Sequence, residues 1–74
     1  MMTTMEYMYI EYSLNNSPLE KHWCTEIFGK IVNKEFLSVT EWEYLKIAIS
    51  SNDDIVENYK TILLNLIQEE VEIK

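Results

Sequence analysis

The sequence predicts a mainly α-helical fold: a small three-helix domain with an extended segment at its N-terminus. Two observations lead there. Apolar residues recur every three to four positions in three separate stretches, the spacing that lines one face of a helix. A Ser-x-x-Glu pair stands just ahead of the first two stretches, and such pairs close the first turn of a helix reciprocally.

Residues 1–14 read MMTTMEYMYIEYSL. Met8, Ile10, Tyr12 and Leu14 alternate onto one face of an extended strand, with Met5, Tyr7 and Tyr9 on the other. Aromatic and β-branched content favours the strand. Both faces are partly apolar, so the segment needs cover on two sides. The competing reading is a helix, because Met5, Met8, Tyr9 and Tyr12 also fit a 3–4 spacing.

A first helix is expected over 18–33. Ser17 and Glu20 form its capping box, and Pro18 takes the first helical position, where a missing N–H costs nothing. Leu19, Trp23, Ile27 and Ile31 then repeat every four residues. Gly29, the single glycine, interrupts this helix and suggests the close approach of another backbone. A second helix is expected over 39–50, capped by Ser38 and Glu41, with Leu37 and Trp42 as a hydrophobic staple. A third is expected over 53–70. Asn52, Asp53 and Asp54 suit its start, and Tyr59, Ile62, Leu63, Leu66 and Ile67 give the cleanest periodicity. The tail Val71–Lys74 alternates, and if extended it is the natural mate for an N-terminal strand.

Seventy-four residues make one domain, spanning 1–74. Such a chain buries only roughly 60% of its unfolded surface, which makes self-association an attractive source of extra core. The single cysteine, Cys24, excludes an internal disulfide and suits a reducing compartment, so a cytoplasmic location is expected. One Cys and one His cannot form a zinc set, and no glycine-rich phosphate loop is present, so no cofactor is expected. No apolar run approaches the roughly 20 residues that span a bilayer.

Charge is the other strong signal. Six lysines and no arginine face thirteen acids, a formal net charge of -7. Such a field repels nucleic acid and anionic membrane and attracts basic protein surfaces. Direct nucleic-acid binding and membrane binding are therefore not expected.

Catalytic constellations are absent. His22 and Cys24 are two apart on a helix and point away from each other, so a nucleophile–base pair does not form. The pairs Glu41/Glu43 and Glu69/Glu70 read as helix caps and solvated faces, not as acid–base dyads. Two clusters remain as candidate partner-binding residues. Tyr7 and Tyr9 belong to the Met/Tyr-rich N-terminal segment, a composition enriched in interface cores. Glu69, Glu70 and Glu72 crowd a helix C-terminus, where the macrodipole disfavours anions.

The expected function is that of a non-enzymatic, protein-binding module. It would regulate or inhibit a partner with a basic surface, possible targets including a nucleic-acid-binding protein whose phosphate contacts the carboxylates imitate. Phage-encoded inhibitors and antitoxins supply the class-level analogy. The alternative is a structural or assembly subunit, or homodimer, joined through the apolar strand and a helix face.

Overall fold

The computed structural model describes residues 1–74. It contains four helices in the order α1 (Thr4–Asn15), α2 (Lys21–Val32), α3 (Val39–Ser50) and α4 (Glu57–Glu70). The mainly helical class therefore holds, with one helix more than expected.

The additional helix corrects the reading of residues 1–14. Thr3 and Glu6 form a capping box: the Glu6 carboxylate accepts the Thr3 N–H at 2.7 Å, and the Thr3 hydroxyl accepts the Glu6 N–H at 3.4 Å. A strand here would need a partner for every backbone group, whereas a helix satisfies its own. The potential partner is engaged elsewhere. The Leu37 N–H donates to the Glu72 carbonyl and the Lys74 N–H to the Leu37 carbonyl, both at 2.8 Å, in a parallel bridge between Leu37 and Ile73. The C-terminal tail thus pairs with the α2–α3 connection and not with the N-terminus.

Two helix starts also shift. α2 begins at Lys21, with Glu20 as an N-cap that makes no side-chain bond. Ser17 closes the preceding helix instead: its hydroxyl donates to the Leu14 carbonyl at 2.6 Å and accepts the Leu19 N–H at 3.3 Å. α4 begins at Glu57, not at 53, behind an N-cap Val56. Asn52, the expected cap, is drawn inward. Its amide donates to the buried Ser13 hydroxyl at 2.8 Å and its carbonyl oxygen accepts the Asp54 N–H at 2.9 Å. Ser17 is taken up by local bonds to the preceding turn and Asn52 by a tertiary partner, and each helix starts further on.

α3 matches its expected bounds. The Ser38–Glu41 capping box is present, and Leu37 and Trp42 are both in the core. α2 ends at Asn33 in a Schellman motif. The Lys34 N–H reaches the Ile31 carbonyl and the Glu35 N–H reaches the Lys30 carbonyl. Lys34 occupies the left-handed position with φ 58°, where glycine is the usual residue.

The core draws on every helix. Ile10 and Leu14 of α1, Ile27 and Ile31 of α2, Leu45 and Ile49 of α3, and Leu63 and Ile67 of α4 are all at most 1% exposed. Leu37, from the bridge, and Val71, the C-cap of α4, are buried with them. Cys24 is a buried core residue whose thiol donates to the Leu14 carbonyl, while His22 is exposed on the polar face.

Candidate protein interface

α1 is apolar on two faces. Ile10, Leu14 and the half-buried Tyr7 turn toward the core. Met5, Met8, Tyr9 and Tyr12 stand at i, i+3, i+4 and i+7 and form a second stripe almost opposite the first, at about 100° per residue. This second stripe faces solvent: Met5 and Met8 are 63% and 62% exposed, Tyr12 46% and Tyr9 36%. A helix apolar on both sides is normally covered on both.

The α3–α4 turn and the start of α4 form the wall beside this stripe. Tyr59 meets Tyr9 edge to face at 5.3 Å between centroids. Val56 is exposed next to them. The Tyr12 hydroxyl donates to the Asp54 carboxylate at 2.7 Å, a charge-assisted bond that pins the turn to α1. That bond, with the negative charge of Asp54, raises the Tyr12 phenol above its usual pKa. The result is one open groove. One lobe of about 440 Å³ is lined by Met5, Met8, Tyr9, Tyr12 and Asp54. A second, of about 380 Å³, shares Met5, Tyr9 and Asp54 and extends to Ile55, Val56 and Tyr59.

The border of the groove is acidic. Beyond Tyr12 and Asp54 it runs into a polar cleft containing Asp53, Asn16 and Ser51. On α1, Glu6 and Glu11 flank the exposed stripe about 110° to either side of its axis. Glu6 borders the Tyr9–Tyr59 pair: burial first, and then the Glu6 charge, push the Tyr59 phenol up. No lysine lines either lobe. Elsewhere five of the six lysines are engaged, Lys30 with Glu41, Lys34 with Glu70, Lys46 with Glu43, Lys60 with Glu57 and Lys74 with Glu72, while Lys21 lies in a separate cleft with Glu11.

The five residues singled out from the sequence fall into three places. Tyr9 lies in the groove. Tyr7 and Glu70 are brought together by Lys34, whose ammonium donates to the Tyr7 hydroxyl at 3.4 Å and lies 3.3 Å from the Glu70 carboxylate. Glu70 is an internal clamp: it also accepts the Met2 N–H at 2.9 Å and keeps only 16% of its side chain exposed. The Met2 N–H, against the effect of burial, and then Lys34 hold its carboxyl below the usual glutamate value. Glu69 and Glu72 are exposed, on the part of α4 and its tail about 15 Å along the helix from Tyr59. The relief for this acidic end comes from Lys34 and Lys74, not from Lys60. Lys60 is 5% exposed and donates to the Ser50 carbonyl at 2.7 Å, supplying the positive charge that the last turn of α3 lacks.

Asp54 was not selected from the sequence as a binding residue, and Met5, Met8 and Tyr12 counted only as members of the Met/Tyr-rich segment around Tyr7 and Tyr9. The signal was available in the 3–4 spacing of residues 5, 8, 9 and 12. It carries weight only once residues 4–15 are known to be helical. Asp54 gave no signal, because its approach to Tyr12 spans 42 positions of the chain.

The structure brings no three His, Cys, Asp or Glu side chains together as a metal site. No helix is long and apolar enough to cross a membrane. No family model, curated protein or solved structure matches the chain.

Proposed function

We propose that this chain is a non-enzymatic protein-binding module that regulates or inhibits a partner by occupying a basic surface on it. The observation that carries the reading is the exposed Met5/Met8/Tyr9/Tyr12 stripe with Asp54 set into it. Methionine and tyrosine supply adaptable, amphipathic contact area, and a charged border steers the encounter. Glu69 and Glu72 extend the negative field to the far end of α4. A nucleic-acid-binding protein is a natural target, with carboxylates taking the place of phosphates. The buried, unpaired thiol of Cys24 suits a cytoplasmic setting.

Assembly of identical copies through the same stripe is the second reading, favoured by the exposure of four large side chains on one helix face. The acidic border argues against it, because pairing like surfaces would oppose like charges.

A pull-down from native host lysate tests the proposal. Wild type should capture a partner at low salt and release it as salt rises, in keeping with screening of a charged border. Met5→Gln/Met8→Gln should abolish capture, and Glu69→Lys/Glu72→Lys should weaken it. Capture unchanged by the methionine substitutions, or indifferent to salt, refutes the reading.

A further inference from the structure

We infer that the groove between α1 and the α3–α4 turn receives a cationic amphipathic helix of the partner; this rests on the binding-module reading above and specifies its ligand.

Four features of the groove select that occupant. The receiving surface is a helical seam: Met5, Met8, Tyr9 and Tyr12 repeat the i, i+3, i+4, i+7 pattern with which one helix packs on another. The seam runs about 10 Å along α1, and Val56 and Tyr59 widen it on one side, so about two turns of partner helix cover its length. An extended peptide has nothing comparable to join. The chain has no β-sheet, and its one bridge already pairs Leu37 with Ile73.

Charge then fixes the sign of the ligand. Asp54 lies within the groove and Asp53 in the cleft that continues it. Glu6 and Glu11 stand on the two flanks of the stripe, and Glu57 opens α4 beside Val56. With no lysine in the lining, lysines or arginines on either side of an apolar partner stripe would meet carboxylates all along the border. A second copy of this chain is disfavoured by the same arrangement. A two-fold pairing of the seam would set Asp54, Glu6 and Glu11 against acids, with no cation on the seam to offset them. The methionines fit the role, because their flexible thioethers adapt to different apolar side chains.

A designed peptide provides the probe. It has about 18 residues, with leucines at i, i+3, i+4 and i+7 repeats and lysines elsewhere, and carries a fluorophore. Two controls accompany it: a twin with glutamate for every lysine, and a variant of the same charge interrupted by two prolines, which cannot form a helix. Fluorescence anisotropy at physiological salt measures binding. The basic helical peptide should bind wild type at least about tenfold more tightly than either control. Met5→Gln/Met8→Gln should weaken it at least about tenfold, as loss of central anchors does. Circular dichroism should show that variant folded, since both methionines face solvent. Asp53→Asn/Asp54→Asn should flatten the salt dependence.

The inference is overturned if wild type does not bind the basic helical peptide, if the proline-interrupted peptide binds equally well, or if the methionine variant binds unchanged. It is also overturned if light scattering shows a dimer of wild type that the methionine variant loses, because the seam is then covered by a second copy. The binding-module reading fails separately. A lysate partner that depends on Met5 and Met8 but contacts them through a non-helical or uncharged segment, mapped by cross-linking, removes the helix inference and leaves the module. A partner indifferent to those residues removes both.

Discussion

Gly29 sits in the middle of α2, where glycine costs about 1 kcal/mol against alanine. The close approach of another backbone, suggested by its position in the sequence, is not found: a methyl group there would meet nothing within 4 Å. Gly29→Ala should therefore raise stability by about 0.5–1 kcal/mol, seen as a higher urea midpoint at unchanged m-value. Lys60 presents the opposite case. Its ammonium is buried between the Ser50 carbonyl, at 2.7 Å, and Glu57, at 3.1 Å. Lys60→Met keeps most of the packing but removes the charged donor from the end of α3. It should lower stability by about 1.5–3 kcal/mol in the same titration. Neither role is visible at the residue itself.

At the scale of elements, α1 and α3 both start with a capping box, but only that of α3 was read from the sequence. Ser38 and Glu41 precede a plain helical stripe, so cap and periodicity agree. Thr3 and Glu6 precede residues whose alternation also satisfies a strand, so cap and periodicity do not point to one element there. Thr3→Ala should cost about 1 kcal/mol and speed amide hydrogen exchange in the first turn of α1, at Glu6 and Tyr7, while the amides of α3 change little at this local level. Slowed or unchanged exchange in that turn would contradict the capping role. α2 and α4 teach the complementary lesson. Ser17 and Asn52 had the right chemistry to cap these helices, but Leu14, Leu19, Ser13 and Asp54 took their hydrogen bonds.

Two internal carboxylates tie elements together across the whole molecule. Glu41 of α3 accepts Lys30 of α2 at 3.0 and 2.8 Å and the Ser38 N–H at 2.8 Å. Burial alone would push its carboxyl up; Lys30 and Ser38 outweigh it and hold the carboxyl below its usual value of 4.5. Glu70, at the end of α4, is likewise held down by Met2 and Lys34. Depressed carboxyls contribute stability above their unfolded pKa and lose it as pH falls through the folded value. At the alkaline end, Lys30 and Lys34 are raised above 10.5, Lys30 chiefly by Glu41 and Lys34 chiefly by Tyr7. Their contribution is full below the unfolded value and disappears as pH rises through the folded one. The melting temperature should thus hold level from about pH 5.5 to 9 and fall below about pH 4.5 and above about pH 10.5. Glu41→Gln should melt lower than wild type at neutral pH and show a shallower acid limb. An acid limb identical to that of wild type would remove Glu41 from the account.

Helical class, the bounds of α3, a buried Cys24 beside an exposed His22, and a strongly acidic charge balance are local or compositional properties, and the chain determines them without reference to distant residues. Only the folded structure decided that residues 4–15 are helical, because strand and helix patterns coincide there and the outcome depends on which partner the tail Val71–Lys74 finds. The tertiary arrangement also turned Glu70 inward and brought Asp54 to Tyr12, converting a stripe of methionines and tyrosines into an acid-bordered groove. Such contacts join groups dozens of positions apart, and neither periodicity nor capping chemistry carries information over that range.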